Sequence, residues 1–403
     1  MKTRSEDYDV VVIGAGPAGS LAARKAAADC EVLLIEKRQE IGSPVRCAEG
    51  VPLIETPFVF HTSFEKYVEP DSKWIASEVK GVRANAPDGT RVEVSGEMLG
   101  TEKPLGLILE RKLFDRQLAK DAARAGAQVM VRTRATGLIL EDGRIRGVKL
   151  NQLGENFEVR AKVVIGADGV ESQVGRWGGI NTTLKLNDIE SCAQYHMQNV
   201  ELEENTLDFY FGSQAPSGYA WAFPKGNGAG NIGLGVLGSK LNGKRPLDYL
   251  NKFVATHFPD GKPVELVMGG SPVSDALPTV VGNGLMLIGD AARHTEPITG
   301  GGIMAALQSG TIAGGVASKA VRQNDASARV LREYETEWKH SFGKARRRMY
   351  KVKEFVISLS DDEIDKLIRA FAGITAEELN LKGAMRRLLR LDPRLLLRIR
   401  QLL

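Results

Sequence analysis

The stretch Tyr8-Asp-Val-Val-Val-Ile13, followed by Gly14-Ala-Gly-Pro-Ala-Gly19, decides the fold of this chain. The first part is an apolar run typical of a buried β-strand, and the second is a Gly-x-Gly-x-x-Gly turn. Alanine-rich, helix-forming sequence follows over Ser20 to Ala28, and a second apolar run ends in an acid at Leu33-Leu-Ile-Glu36. Together these features predict the phosphate- and ribose-binding half of a dinucleotide site.

Each glycine of the turn has its own predicted role. Gly14 allows the tight turn, Gly16 lets the backbone approach a pyrophosphate, and Gly19 lets the helix lie close to the strand. The free N–H groups and the dipole at the helix start favour the diphosphate. Glu36, which lies 22 residues after Gly14, is placed to bind the ribose hydroxyls.

Composition narrows the class of protein. A chain of 403 residues can form two or three domains, and a net charge of +4 with 26% charged residues argues against disorder and against nucleic-acid binding. Three scattered cysteines and five scattered histidines predict neither a disulfide framework nor a metal site. No signal peptide and no apolar run of about 18 residues is seen, so we expect a cytoplasmic protein.

Two later strands resemble the remainder of a flavin site. Lys162 to Gly166 leads into Asp168-Gly169, and Gly284 to Gly289 leads into Asp290. Thr299-Gly-Gly-Gly-Ile303 then opens a helix predicted from Met304 to about Val321. Bare backbone N–H groups at this helix start suit the negative charge that develops on a reduced flavin. The Asp290 carboxylate can accept a hydrogen bond from a ribityl hydroxyl.

The middle of the chain predicts an antiparallel sheet. Five short β-prone runs occur at sheet-like spacing: 191–200, 207–211, 219–223, 231–236 and 264–268. A hairpin is predicted around Asn85 to Gly89, flanked by Val82 and by Val92 and Val94. Gly228-Ala-Gly-Asn-Ile-Gly233 also matches Gly-x-Gly-x-x-Gly, but no helix follows until after Pro246, so we reject it as a phosphate turn.

The three strand-to-turn segments together resemble the FAD-dependent oxidoreductases of the p-hydroxybenzoate hydroxylase superfamily. The resemblance implies an α/β (α+β) fold with a Rossmann-like FAD-binding domain built from discontinuous segments, an inserted antiparallel-sheet substrate domain and a C-terminal helical region. The predicted boundaries are 1–70, 105–180 and 280–325 for the FAD-binding domain, 71–104 and 181–279 for the substrate domain, and 326–403 for the helical region.

Two long motifs narrow the resemblance to one family. The run Pro44-Val-Arg-Cys-Ala-Glu-Gly50 and the run Gly218-Tyr-Ala-Trp-Ala-Phe-Pro-Lys-Gly226 are similar to those of the geranylgeranyl reductases, especially the archaeal branch that saturates the geranylgeranyl chains of ether phospholipids. By that resemblance the cofactor is FAD, and its contacts fall on Ala15, Glu36, Arg46, Cys47, Gly50, Arg111, Ala135, Asp290, Gly302 and Ile303, with Gly14, Gly16 and Gly19 forming the phosphate turn.

Reduction of an isolated alkene needs a hydride, a proton and an apolar tunnel that lays each double bond against the flavin. Burial at about 0.8 kcal/mol per CH₂ supplies the binding. Tyr219, Trp221 and Phe223 alternate along one predicted strand, so all three face one side. We interpret that side as a wall of the tunnel; the alternative is that these rings form the core of the substrate domain.

Cys47 and Arg111 each have two interpretations. Beside Arg46, the Cys47 thiol could be acidified and serve in catalysis as a proton donor or in substrate access. The alternative for Cys47 is a small residue packed against the flavin. Arg111 precedes an amphipathic helix predicted over Leu113 to Ala125 and is suited to reach phosphate or adenine; without the family it is an ordinary surface arginine.

Beyond about residue 325 the chain is helical and charged. Asp392 and Pro393 predict the start of a last helix whose leucines share one face, with arginines away from it. Such a helix either contacts an anionic membrane surface peripherally or docks on the substrate domain. The segment Val51 to Tyr67 carries no motif, and its place after Cys47 suggests the border of the substrate entrance.

Three functions fit the sequence. The first is a geranylgeranyl reductase acting on ether lipids, with electrons from NADPH or reduced ferredoxin, since no second nicotinamide fold is visible. The second is a flavin monooxygenase of the same superfamily, with which Asp168-Gly169 is compatible. The third is a non-catalytic flavoprotein that carries or senses isoprenoid lipid.

Overall fold

The computed structural model describes residues 6–53 and 62–373, together with residues 375, 378, 383, 386 and 387. The strands, in chain order, are β1 Glu6–Ile13, β2 Val32–Ile35, β3 Gly50–Pro52, β4 Ile75–Val79, β5 Gly81–Asn85, β6 Arg91–Ser95, β7 Gly106–Leu109, β8 Gln128–Met130, β9 Thr133–Glu141, β10 Arg144–Gln152, β11 Glu155–Gly166, β12 Ile189–Gln198, β13 Thr206–Tyr210, β14 Tyr219–Gly226, β15 Ala229–Leu237, β16 Lys262–Pro272, β17 Val281–Gly282 and β18 Leu285–Leu287. The α-helices are α1 Pro17–Ala26, α2 Arg111–Arg124, α3 Val174–Trp177, α4 Pro246–His257, α5 Ile303–Arg322, α6 Ala328–Trp338, α7 Lys344–Val356 and α8 Asp361–Ala370.

The first sheet carries the dinucleotide-type core. Its main path has the order β17-β18-β11-β1-β2-β8, and β18, β11, β1, β2 and β8 run parallel. β9 and β10 extend it as an antiparallel branch on β11. Parallel central strands are buried on both faces, which explains the continuous apolar runs in β1 and β2.

Helices α1 and α5 cover one face of this sheet in close contact. A Cβ atom at Gly310 would lie 2.2 Å from the carbonyl oxygen of Ala18, and one at Gly314 would lie 2.5 Å from that of Ala22. The small residues of both helices therefore allow the backbones to approach. This packing brings the start of α5 beside the start of α1, and so joins the two segments that the sequence predicted to bind one cofactor.

The second sheet has seven strands in the order β16-β12-β15-β14-β13-β5-β6, antiparallel except for the β13–β5 pair. The five predicted strands and the predicted hairpin are confirmed, with Val82 opposite Val94. The rejected Gly-x-Gly-x-x-Gly run forms the turn into β15 and part of that strand, so it is not a phosphate turn. α4 packs on the face of the sheet away from the first sheet, through Leu250 and Phe253.

A small sheet, β3-β7-β4, joins the two larger ones. β4 falls in the predicted substrate domain, yet it pairs with β7 here rather than with the seven-stranded sheet. Trp74, Phe64 and Phe114 pack together beneath the small sheet with centroid separations of 5.1 to 6.0 Å, and Trp74 meets both phenylalanine rings edge-on. Phe64 belongs to the segment without a motif; residues 54–61 of that segment lie outside the described residues.

The C-terminal helices pack back onto both sheets. Tyr334 on α6 donates a hydrogen bond from its hydroxyl to the carbonyl oxygen of Leu287, at 3.0 Å. α8 lies on the β5–β6 hairpin, where Ile368 packs against Val92 and Ala86. The last helix, predicted from Asp392 to Leu403, lies outside the described residues. No helix in the described part of the chain is long and apolar enough to cross a membrane.

Candidate active site

The glycines in the turn after β1 are of two kinds: some are required by packing within the protein, and one is open for a ligand. Gly14 has a φ of +106°, and a Cβ atom there would lie 2.3 Å from the carbonyl oxygen of Ala167. A Cβ atom at Gly19 would lie 1.8 Å from the carbonyl oxygen of Gly14. Around Gly16, by contrast, no atom lies within 4 Å of the Cβ position. Since no packing within the protein requires a glycine at position 16, its open face fits the close approach of a diphosphate.

Glu36 follows β2 and holds the turn in place. Its carboxylate accepts hydrogen bonds from the amides of Ala15 at 3.1 Å and Arg38 at 3.0 Å. The amide of Thr133 donates to the carbonyl oxygen of Glu36, so β9 with Ala135 begins beside it. These residues lie together at the carboxyl ends of β1 and β2, where the sequence predicts the adenosine end of the cofactor site.

The opposite end of the site is the start of α5. Asp290 follows β18 and accepts a hydrogen bond from the Thr295 hydroxyl at 2.7 Å. A Cβ atom at Gly302 would lie 3.1 Å from Asp290 Oδ1, so an added side chain there would press on the Asp290 carboxylate. Burial raises the pKa of Asp290, although the Thr295 hydrogen bond offsets part of the effect. Ile303 is the first residue of α5 and is buried.

Glu296 holds the backbone of Thr299 to Gly302, which we call the glycine loop and which leads into α5. Its carboxylate accepts hydrogen bonds from the amides of Ile298 at 3.0 Å and Thr299 at 2.7 Å, and from the Thr299 hydroxyl at 2.7 Å. Two of the glycine amides that the sequence predicted to be bare donate within the loop, Gly300 to the Glu296 carbonyl oxygen at 3.0 Å and Gly301 to the Thr299 hydroxyl at 3.2 Å. The loop is therefore held by its own hydrogen bonds, and the helix dipole at the start of α5 favours an anion there.

One cavity of about 830 Å³ connects these parts with the seven-stranded sheet. Its lining includes Gly16, Arg46, Cys47, Gly50, Arg111, Tyr219, Trp221, Phe223, Asp290, Gly302 and Ile303. The cavity lining does not include five predicted site residues at the predicted adenosine end: Gly14, Ala15, Gly19, Glu36 and Ala135. Most of the predicted site residues therefore meet in one space.

Cys47 has a different cationic neighbour from the one that the sequence suggested. The Arg46 guanidinium is half-exposed and pairs with Glu171 at 3.4 Å, whereas the buried Arg111 guanidinium is the charge that acts on the thiol. Burial raises the pKa of the Cys47 thiol, and Arg111 offsets that only in part. The expectation that Arg46 acidifies Cys47 is therefore wrong: the thiol stays protonated at neutral pH.

Arg111 is fixed by its own helix. Its guanidinium makes two 2.8 Å hydrogen bonds to the Asp115 carboxylate one turn later. Burial opposes its charge, but Asp115 raises the pKa of Arg111 overall. Arg111 is thus not an ordinary surface arginine, and its guanidinium is held against the cavity.

Glu49 organises the Cys47 loop, and sequence reasoning missed it. Its carboxylate accepts hydrogen bonds from the Lys225 ammonium and the Asn231 amide group, both at 2.8 Å, and from the Arg111 backbone amide at 3.0 Å. Glu49 is 4% exposed and has a φ of +73°, a left-handed conformation that is uncommon for a residue other than glycine. Three distant segments converge on this one carboxylate, and only the fold reveals it.

Aromatic rings cover the sheet face of the cavity. Tyr219, Trp221 and Phe223 lie along β14 with centroid separations of 5.7 and 6.3 Å, and Phe209 on β13 lies 5.3 Å from Phe223. The Trp221 indole N–H donates to Gln194 Oε1 at 2.9 Å, which fixes its ring. All three rings of β14 line the cavity, which supports their interpretation as a tunnel wall.

The glycines of β15 make this wall possible. A Cβ atom at Gly233 would lie 2.4 Å from the Trp221 ring, and one at Gly235 would lie 2.9 Å from Glu190 Oε2. The rejected phosphate motif therefore has a different role, since it clears the sheet face for large side chains on the neighbouring strands. Its alternation with β-branched and leucine residues was the signal for a strand.

The comparisons with known proteins agree with this geometry. The geranylgeranyl reductase catalytic domain matches residues 188–271, an FAD-binding domain matches 77–229, and an NAD(P)-binding Rossmann-like domain matches 12–65. The digeranylgeranylglycerophospholipid reductase of Methanocella arvoryzae is 49% identical over 97% of each chain, and that of Methanosarcina mazei is 49% identical over 98% of this chain and 96% of the relative.

The chain belongs to the digeranylgeranylglycerophospholipid reductase family. A crystal structure of a geranylgeranyl bacteriochlorophyll reductase-like protein from Thermoplasma acidophilum superposes with a TM-score of 0.91 and 39% identity, covering 99% of this chain and 100% of the other. A flavin-dependent brominase superposes with a TM-score of 0.70 at 19% identity, which shows a shared fold alone. The predicted family, fold class and FAD cofactor are confirmed, and the chain is an FAD-dependent oxidoreductase.

The residues present fit FAD. The open face of Gly16 and the start of α1 suit the diphosphate, Glu36 suits the adenosine ribose, and Asp290 with the glycine loop suits the ribityl and pyrimidine parts. Asp168, by contrast, stabilises the start of α3. Its carboxylate accepts hydrogen bonds from the backbone amides of Gln173 at 2.7 Å and Val174 at 3.0 Å.

Proposed function

We propose that this protein saturates the isolated C=C bonds of the geranylgeranyl chains of digeranylgeranylglycerophospholipid, yielding archaeol-type lipids. The observation that carries the proposal is the apolar, aromatic-lined cavity that runs from the start of α5 to α8. The names of relatives that are 43–49% identical over nearly their full length support the same substrate.

The cavity offers the environment that this chemistry needs. Reduced FAD, when bound, supplies a hydride. Leu207, Phe209 and Phe211 on one side, and Ile368 and Phe371 of the α8 region on another, exclude water and enclose an isoprenoid chain. The rings of β14 also present π faces, which stabilise positive charge at a reacting carbon.

We propose the following site assignments for the chain. Gly14, Gly16 and Gly19 form the phosphate turn; Ala15, Glu36, Arg46, Cys47, Gly50, Arg111, Ala135, Asp290, Gly302 and Ile303 hold FAD; and Tyr219, Trp221 and Phe223 bind the isoprenoid. The seven-stranded sheet acts as the substrate domain, with boundaries at 71–104 and 181–279.

Cys47 borders the reacting region in this proposal. The thiol lines the cavity and accepts a hydrogen bond from the Glu49 backbone amide at 3.2 Å. Because burial raises its pKa, the thiol remains protonated. Its role is in catalysis or substrate access rather than as a nucleophile, because nucleophilic attack needs the thiolate. Turnover of Cys47→Ala at the wild-type rate would remove Cys47 from the reaction.

We propose an external electron donor, NADPH or reduced ferredoxin. Within residues 6–53 and 62–373 the first sheet contains one strand–glycine turn–helix unit of the dinucleotide type, and FAD occupies that unit in this proposal. Stopped-flow reduction of the bound flavin by each donor separates the two.

We also propose that the protein works in the cytoplasm and contacts the membrane surface peripherally, because its substrate is a lipid with two long isoprenoid chains. Sedimentation with anionic liposomes tests this contact, and removal of residues 392–403 tests the predicted amphipathic helix. Equal sedimentation of the full and shortened chains would assign the contact elsewhere.

The deciding experiment feeds digeranylgeranylglyceryl phosphate to the dithionite-reduced protein without oxygen. We expect flavin reoxidation and a mass gain of two hydrogens per double bond. Unchanged lipid with a flavin that stays reduced would refute the reductase function. Peroxide or hydroxylated product in an aerobic assay with NAD(P)H would indicate a monooxygenase, and lipid binding without turnover would indicate a carrier.

A further inference from the structure

Glu190 on β12 places a carboxyl group in the wall of the apolar cavity. The residue is 4% exposed and lines the cavity with Cys192 and Tyr219. Its Oε2 atom lies 2.9 Å from the Cβ position of Gly235 and 4.0 Å from that of Gly300. The carboxyl therefore projects between the seven-stranded sheet and the glycine loop before α5.

Glu190 differs from the other acids that line this cavity. Glu49 accepts three hydrogen bonds, and Asp290 accepts one from Thr295. Within residues 6–53 and 62–373, no hydrogen bond or ion pair to the Glu190 carboxyl is found. A buried polar group without a partner destabilises the fold, and an unpaired buried charge does so more strongly. Stability therefore does not account for this residue.

The surroundings of Glu190 favour its protonated form. The titratable groups that face it are Cys192 on its own strand, Tyr219 on β14, Glu296 before the glycine loop and Lys353 on α7. Burial raises the pKa of Glu190 to about 8, with Lys353 opposing and Glu296 reinforcing the shift. At neutral pH the group is a carboxylic acid that faces an apolar tunnel.

We propose that Glu190 is the proton donor in the alkene reduction. This inference rests on the proposed function and adds the acid that the reaction needs. In a concerted step the π electrons of the alkene take the carboxyl proton, so that a C–H bond forms at the less substituted carbon and the Glu190 O–H bond breaks. The more substituted carbon receives the hydride, with its two electrons, from the reduced cofactor, which is thereby oxidised. The Glu190 carboxylate then regains a proton from solvent.

Two neighbouring groups are poorer donors. The Tyr219 hydroxyl donates to the carbonyl oxygen of Thr299, and burial raises the pKa of Tyr219 well above its usual range. The Cys47 thiol has a raised pKa as well, and a thiol is intrinsically a weaker acid than a carboxyl. General acids work best when their pKa lies near the working pH, which Glu190 satisfies.

The first test does not depend on turnover. The FAD-loaded, oxidised protein without substrate is titrated from about pH 6 to about pH 10 while the C=O stretch of protonated carboxyl groups is followed by infrared difference spectroscopy. We expect a carboxyl band that disappears with a midpoint near 8. Glu190→Gln should lack that band, whereas Glu296→Gln should retain it. The absence of any carboxyl titrating above about pH 6 in the wild-type protein would overturn the proposal.

The second test is single-turnover reduction of digeranylgeranylglyceryl phosphate by the dithionite-reduced protein. Glu190→Gln preserves shape and breaks no hydrogen bond, so we expect full FAD content and lipid binding but a rate that is lower by about 10²- to 10⁴-fold. The wild-type rate should fall above about pH 8, and Glu190→Asp should shift that fall.

The outcomes separate this proposal from the proposed function. If wild-type protein does not reduce the lipid, the reductase function fails. If wild-type protein and Glu190→Gln reduce it equally fast, only the assignment of Glu190 fails. If Glu190→Gln loses FAD, the infrared titration of wild-type protein and of Glu296→Gln decides between the two acids. A carboxyl band that titrates with a midpoint near pH 8 in both proteins supports Glu190. Loss of that band in Glu296→Gln assigns the titration to Glu296 and overturns the proposal.

Discussion

Replacing Gly16 with alanine should weaken FAD binding without weakening the fold. Gly16 caps α1 with φ −72° and ψ −176°, an extended conformation that any residue adopts. No atom lies within 4 Å of the position that a Cβ atom would take there. The free energy of unfolding of the apoprotein should therefore change by no more than about 0.5 kcal/mol. The added methyl group projects into the space where the diphosphate approaches.

The magnitude follows from the hydrogen bonds at risk. The first amides of α1 have no acceptor within the helix, and a hydrogen bond from such an amide to a charged group contributes about 1.5–3 kcal/mol. Loss of one such bond corresponds to an increase in the FAD Kd of about 10- to 100-fold. Titration of the apoprotein with FAD, followed by quenching of flavin fluorescence, measures this change.

Gly19→Ala is the matched control, because the same substitution three residues later should act on the fold instead. Its Cβ atom would lie 1.8 Å from the Gly14 carbonyl oxygen, so the strand and helix must separate, at a cost of about 1–3 kcal/mol. Thermal unfolding of both apoproteins distinguishes the two effects. Unchanged FAD affinity in Gly16→Ala, or equal destabilisation by both variants, would refute the division between binding and structural glycines.

Three further predictions concern residues whose roles the sequence did not reveal. Glu49→Gln should lower the free energy of unfolding by about 3 kcal/mol, measured by urea titration, because the buried Lys225 ammonium loses a charged partner. Burial holds the pKa of His294 well below its ordinary value, so the unfolded chain binds a proton at His294 that the folded protein does not. Below about pH 6.5 the wild-type free energy of unfolding should therefore fall relative to that of His294→Phe by about 1.4 kcal/mol per pH unit, measured by urea titrations of both proteins at two pH values. Gly233→Ala should displace the Trp221 ring and slow lipid reduction by about 10- to 100-fold, with FAD content unchanged in the absorption spectrum.

Two of these variants, Glu49→Gln and Gly233→Ala, have a matched control in the same chain. Glu110→Gln removes the half-exposed partner of Lys225 and should cost less than about 1 kcal/mol. Gly137→Ala meets only the Lys149 side chain at 3.7 Å and should leave turnover unchanged. Equal effects of Glu49→Gln and Glu110→Gln, a difference in stability between wild type and His294→Phe that does not vary with pH, or normal turnover in Gly233→Ala would each contradict the corresponding prediction.

Local sequence carried enough information for the cofactor end of the site. The glycine turn, the acid after β2 and the helix α5 are set by residues close together in the chain, since a strand, a turn and a helix interact with their immediate neighbours. For the same reason the hairpin between β5 and β6 and the strands of the seven-stranded sheet were predictable from alternation and turn residues.

The substrate end depends on contacts between distant segments, which one sequence does not specify. Arg111, rather than the adjacent Arg46, faces Cys47, because β3 and β7 pair across a long insertion. Lys225 reaches Glu49 only because β14 crosses the small sheet. Glu190 belongs to no recognised motif, and its isolation in an apolar wall is visible only once β12, β15 and the glycine loop are together.

This protein shares its fold with flavoproteins that catalyse other reactions, and we expect the difference in reaction to depend on the seven-stranded sheet. Flavin-dependent brominases have a similar fold at 19% identity, so the fold by itself does not determine the chemistry. An isolated alkene offers no oxygen for a hydrogen-bond donor to polarise, so a reductase site needs apolar surface, π faces and one acid in reach. The face formed by β12, β14 and β15 offers all three: Trp221 and Tyr219 cover it, the glycines of β15 leave room for them, and Glu190 is the acid. We therefore expect exchange of side chains on this face to change the reaction, and an added side chain at Gly16 to change how tightly FAD binds and not which reaction follows.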